Sequence, residues 1–128
     1  MKLSNFCLDL FNSFNSKGLD IISQTATTIY PKKKKIYKHT LVNNDDLLIK
    51  TSELPSNRCV NFELWLTMPN SLVSFTFNSA SNILWNFDNI FNTDNSTPSF
   101  DKANTLYVIC FRFDGTNLLA NLAYTKTL

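Results

Sequence analysis

Two apolar, β-rich runs, Leu106–Phe113 and Leu118–Tyr124, flank the four residues Asp114-Gly115-Thr116-Asn117. A Gly-containing turn between such runs is a strong short-range hairpin signal. Glycine takes a positive φ without steric cost, and an aspartate side chain bonds its local backbone. The segment therefore predicts a closing hairpin and an all-β fold. Alternation places Tyr107, Ile109, Phe111 and Phe113 on one side of the first strand, and Leu118, Ala120, Leu122 and Tyr124 on one side of its partner. The opposite side carries Leu106, Val108, Cys110 and Arg112 against Leu119, Asn121 and Ala123. That side is too apolar for full solvation, so it is expected to meet an N-terminal helix or another subunit.

The rest of the chain has the same character. A period of two begins at Ile36, with Tyr37, His39 and Leu41 alternating with Lys38 and Thr40. The cluster Asn43-Asn44-Asp45-Asp46 reads as a turn and Leu47–Lys50 as a return strand, which makes 36–50 a hairpin. Cys59–Met68 is a long strand with Phe62, Leu64, Leu66 and Met68 on one face and Glu63, Trp65 and Thr67 on the other. Leu72–Phe77 and Ile83–Phe87 read as further strands. A loop from Asp88 to Lys102 follows, pinned by Ile90, Phe91 and Phe100. Strands at this spacing predict an antiparallel β-sandwich, jelly-roll-like or Ig-like, over 31–128.

Residues 1–30 differ. Leu3, Phe6, Leu10, Phe11 and Phe14 recur at three- and four-residue steps, the spacing of an amphipathic helix over 3–15. Such a helix is marginal alone and must dock, either on its own sandwich or on a neighbouring subunit. Residues 18–30 read as a polar linker or arm, with room for a short strand at 26–30. Polar residues interrupt every apolar run at the N-terminus, so it does not read as a signal peptide. No run approaches the length of a membrane span.

Eleven Phe residues supply a core with no polar handles, while glycine is limited to two positions, Gly18 and Gly115. Asn stands where turns would otherwise use glycine. A net charge of +2 provides no global field for nucleic acid. The run Lys32–Lys35 lacks Arg and interleaved aromatics, and reads as a solvated or edge-protecting segment before it reads as a phosphate contact. The three cysteines, Cys7, Cys59 and Cys110, have neither CxxC nor metal-ligand spacing and fit reduced thiols, with a Cys59–Cys110 disulfide as the alternative.

Catalytic chemistry finds little footing. The single histidine, His39, lies mid-strand without a nucleophile motif, and neither a phosphate-cradling glycine loop nor an H-E-x-x-H pair occurs. Asp45, Asp46, Asp88, Asp94 and Asp101 lack calcium-loop spacing. No enzyme activity, cofactor or metal is expected. Trp65 and Trp85 remain as ligand or interface candidates. One reading makes them sugar-stacking platforms; the other packs one in the core and one at a subunit boundary.

The segment Ile83-Leu84-Trp85, the loop ending Ser96-Thr97-Pro98, and the run from Asn104 through Asp114-Gly115-Thr116-Asn117 together resemble small β-sandwich modules of tailed-bacteriophage head-fibre and tail-fibre proteins, including those of crAss-like phages. The resemblance covers about the last 45 residues. Leu118 stands where the pattern usually has an aromatic residue after the turn. The resemblance implies a structural or adhesive protein, oligomeric and often trimeric.

Sequence and resemblance together lead to one expectation: a non-enzymatic virion protein, assembled in the host cytoplasm, serving as a head-fibre or capsid-decoration element. Leu3, Phe6, Leu10, Phe11 and Phe14 would anchor it to capsid or fibre subunits, and the body would self-associate. Trp65, Trp85, Asp114 and Asn117 are its ligand or interface candidates. The alternative is a carbohydrate-binding, host-adhesion module of a tail fibre. Neither nucleic acid nor membrane is an expected partner.

Overall fold

The computed structural model describes residues 20–23, 25–32, 35–79, 81–87, 90–92 and 98–128. The amphipathic segment 3–15, with its anchor residues Leu3, Phe6, Leu10, Phe11 and Phe14, lies outside the described residues. Those described form an all-β structure. Its strands are β1 (Asp20–Ser23), β2 (Thr28–Ile29), β3 (Lys35–Thr40), β4 (Asp45–Ile49), β5 (Val60–Met68), β6 (Phe75–Ser79), β7 (Ile83–Phe87), β8 (Ile90–Asn92), β9 (Thr105–Phe113) and β10 (Leu118–Thr127).

The strands form two sheets. A seven-stranded sheet runs β1-β3-β5-β9-β10-β7-β8, and a three-stranded sheet runs β2-β4-β6. From β1 to β6 the chain alternates between them, and every neighbouring pair is parallel: β1 with β3, β3 with β5, β2 with β4, β4 with β6. Parallel neighbours need a crossover connection, and a strand of the opposite sheet supplies it each time. The β9–β10 hairpin then inserts between β5 and β7, antiparallel to β5 through β9 and parallel to β7 through β10.

The expected 36–50 hairpin is therefore corrected, since β3 and β4 lie in different sheets. Alternation could not reveal this. Two strands of a hairpin and two strands facing each other across a core both turn every second residue inward. The large sheet is mixed and the small one parallel, so neither is uniformly antiparallel. Asp20–Ser23, read as arm, supplies β1, while β2 falls in the 26–30 span that left room for a short strand, and its Ile29 is part of the core.

The inward faces of both sheets meet in one cluster. Ile29, Leu47 and Ile49 come from the small sheet, and Tyr37, Phe62, Leu64, Leu66, Tyr107, Ile109, Phe111, Leu118 and Ala120 from the large one. Phe111 is the central ring. It stacks on Phe62 at 4.9 Å and on Phe77 at 6.3 Å, and packs against Trp85 at 6.3 Å between centroids. The loop before β9 is tied down by Phe100, edge-on to Tyr107 at 5.1 Å, and by the Lys102 N–H donating to Tyr107 Oη at 2.9 Å.

The closing hairpin forms as its sequence predicts, with one correction. Its register shifts between Leu122 and Tyr124, so Tyr124 pairs with Val108 and leaves the inward row that Leu118 and Ala120 keep. A bulge adds one residue to one strand and moves every later side chain to the other face. Cys59 and Cys110 are not joined to one another, so the alternative disulfide is not formed.

Candidate functional site

The second face of the seven-stranded sheet is the feature that sets this chain apart from an ordinary half-solvated sheet. Pairing lines its side chains into cross-strand rows. Ile21, Ile36, Glu63, Cys110 and Asn121 form one row across β1, β3, β5, β9 and β10. Ser23, Lys38, Trp65, Val108 and Tyr124 form the next. Asn61, Arg112 and Leu119 form a third. None of these residues belongs to the core cluster between the sheets.

Polar groups on this face are tied to one another. The Trp65 indole N–H donates to Glu63 Oε1 at 3.1 Å. Lys38 Nζ sits 5.7 Å from the centroid of the Trp65 ring, a cation–π distance. Arg112 Nε donates to Asn61 Oδ1 at 3.0 Å. At the sheet edge Lys35 pairs with Asp20, joining β3 to β1. Burial pushes the Glu63 carboxyl above the ordinary glutamate range, and the Trp65 hydrogen bond offsets part of that shift. A carboxyl in this setting needs a polar partner or a proton, and the Trp65 indole supplies the partner.

A second cluster sits at the corner between β3 and β4. His39 Nε2 and Asp45 Oδ2 are 2.8 Å apart, both residues being buried, and Asp45 Oδ2 also accepts the Val42 N–H at 2.9 Å. Asn44 takes φ 66°, which completes the turn that brings Asp45 back towards His39. The pair ties the two sheets together where the chain passes from one to the other. It lines a cleft of about 450 Å³ with Lys38, Thr40, Val42 and Thr67. In the sequence His39 stands alone and Asp45 belongs to a turn cluster. The missed signal was their spacing: a histidine at an inward position, six residues before an aspartate that closes a turn.

The other sequence candidates fall in separate places. Trp85 is 3% exposed and belongs to the core, against Phe77, Phe100 and Phe111, so it offers no platform for a sugar ring. Trp65 keeps some open surface and lies on the second face of the large sheet. Asp114 organises the closing turn: its Oδ1 accepts the N–H groups of Thr116 at 2.8 Å and Asn117 at 2.6 Å, and its own N–H donates to the Asn117 carbonyl at 3.1 Å. Gly115 takes φ +99°, and a Cβ there would collide with the Ser56 carbonyl oxygen. Among the described residues no group of three His, Cys, Asp or Glu side chains is placed to hold a metal ion. Trp65 alone of the four ligand or interface candidates therefore joins the second face.

Comparison with protein-family models, curated proteins and solved structures finds no match to this chain.

Proposed function

We propose that this chain is a non-enzymatic structural protein of a bacteriophage virion, a head-fibre or capsid-decoration element that attaches through its N-terminal segment and self-associates through a β-sandwich body. The observation that carries this reading is the second face of the seven-stranded sheet. It carries Ile21 and Tyr124, both about half exposed, together with the partly exposed Trp65 and Leu119, on the side away from the core. Exposed apolar side chains grouped on one sheet face mark an interaction surface. The resemblance of Ile83–Asn117 to head-fibre and tail-fibre modules gives the assembly its proposed setting.

Anchoring rests on Phe6, Leu10, Phe11 and Phe14, the apolar stripe of segment 3–15. The test is co-sedimentation with particles in the producing cell. The wild-type chain is expected in the particle fraction at a fixed ratio to the major subunits. The doubly substituted Phe11→Ser, Phe14→Ser chain is expected in the soluble fraction with its body folded. Incorporation of that variant at the wild-type level would sink the anchoring claim.

A further inference from the structure

β10 loses one of its two neighbours partway along. It pairs with β9 from Leu118 to Thr127, but with β7 only from Leu118 to Ala120. The bulge between Leu122 and Tyr124 falls just beyond the last pair with β7, and a bulge bends the strand that carries it. From Ala123 to Thr127 every residue is exposed. Register turns Tyr124 and Lys126 to the second face, opposite Val108 and Leu106, and Thr125 and Thr127 to the other, opposite Tyr107 and Thr105. The segment is therefore open on both faces, and among the described residues no strand pairs with its edge away from β9. Its outward N–H and C=O groups form a template for a further strand. Natural edges are guarded by proline, by several charges or by a covering loop. Ala123–Thr127 has no proline and a single charge, Lys126.

We infer that Ala123–Thr127 pairs with the same segment of a second copy, antiparallel about a two-fold axis through Thr125. This pairing rests on the self-association proposed above and supplies its contact. Symmetry and charge select both occupant and register. An open edge is complementary to its own two-fold copy, because each outward N–H meets a C=O of the other strand. With the axis normal to the sheet, residues directly opposite one another share a face, so the axis passes through a residue and not between two. An axis at Lys126 opposes two ammonium groups, which destabilises a cross-strand pair. An axis at Tyr124 sets Lys126 opposite the half-buried Leu122. Thr125 is the midpoint of the exposed segment, and an axis there engages all of it. Ala123 then faces Thr127 of the second copy, and Tyr124 faces Lys126. The half-exposed Tyr124 ring gains a cation–π partner, and symmetry makes that contact twice. β7 thus fills the first part of the β10 edge, and the second copy fills the rest.

Two measurements on the full-length chain test the contact. The first is a cross-link in a Cys7→Ser, Cys59→Ser background, where the remaining native thiol, Cys110, is fully buried. Thr125→Cys brings two thiols together across the axis, where directly opposed Cα atoms lie about 4.5–5.5 Å apart, a spacing that a disulfide spans. Mild oxidation is expected to convert most of this chain to a covalent dimer, whereas Thr116→Cys, at the exposed closing turn, should stay unlinked. The second is light scattering of charge variants at two exposed positions. Tyr124→Lys opposes a new ammonium to Lys126 in both symmetry-related pairs and is expected to raise the Kd for association roughly tenfold or more. Adding Lys126→Glu opposes unlike charges again and should bring the Kd back to within roughly threefold of the wild-type value. An oligomeric chain that fails to cross-link at Thr125, or in which Lys126→Glu does not rescue Tyr124→Lys, would overturn this contact and leave the self-association reading standing. A wild-type chain that stays monomeric at every concentration would overturn both.

Discussion

Glu63 and Trp65, two residues apart on one face of β5, are joined by an indole N–H to carboxylate hydrogen bond of 3.1 Å. The donor holds the carboxylate in place, but burial still raises the pKa of Glu63 above its ordinary value. The folded chain therefore binds this proton more tightly than the unfolded chain does. Below the ordinary glutamate pKa of about 4.3 the contribution of the protonated group is fully present. As pH rises from there through the raised folded value, that contribution is lost. Glu63→Gln removes the ionisation and keeps an oxygen able to accept from Trp65. It is expected to raise stability at neutral pH, with the advantage shrinking towards the acid end. Urea unfolding of both chains across a pH series checks this; an advantage that grows on acidification would contradict it.

Removing the partner at the β3–β4 corner acts in the opposite direction. Asp45→Ala leaves His39 and the Val42 N–H without their shared acceptor in a buried site. Leaving a buried polar group unsatisfied costs roughly 1–3 kcal/mol. Chemical denaturation should show a loss of that size, and thermal unfolding a lower midpoint. A variant as stable as wild type would mean that the pair does not tie the two sheets.

Gly115 tests the closing turn. Alanine there must accept φ +99° and place its Cβ against the backbone of Ser56, which has no flexible end to move aside. Strain of this kind costs roughly 1–3 kcal/mol. Gly115→Ala is expected to lower stability in urea by that amount, whereas Thr116→Ala, which keeps the Asp114 bonds to the backbone, should change little.

The core prediction concerns Phe111, the ring shared by Phe62, Phe77 and Trp85. Phe111→Ala is expected to cost about 3–5 kcal/mol, the range for emptying a buried aromatic site. Trp85 should report it directly, with emission shifting to the red as the cavity admits water. An unshifted spectrum at unchanged stability would contradict the central place given to this ring.

These residues show how far the sequence could be read. The β9–β10 hairpin was legible because its turn chemistry is local: Asp114 and Gly115 act within four residues, and alternation carries the pattern outward. The inward faces of β5 and β9 were legible for the same reason. Sheet membership was not. Leu47 and Ile49 turn inward whether β4 pairs with β3 or faces it, so alternation is silent about the parallel order of β1 to β6. The bulge after Leu122 left no local mark, and Tyr124 was placed on the wrong face. β1 was missed because Asp20–Ser23 is short and exposed, and pairs only along one edge. At the candidate site, the apolar second face could be read from Val108 and Cys110. The burial of Glu63 could not, because a glutamate at an outward position of an alternating strand reads as solvated.

Self-association of the body is read directly from solution mass. Light scattering of the full-length chain over a concentration series should reveal a discrete oligomer above a threshold concentration. The Phe11→Ser, Phe14→Ser chain should keep that oligomer, since self-association belongs to the body and only attachment to the N-terminal segment. A wild-type chain that stays a single monomeric species throughout the series would contradict the proposal that this is a self-associating virion protein.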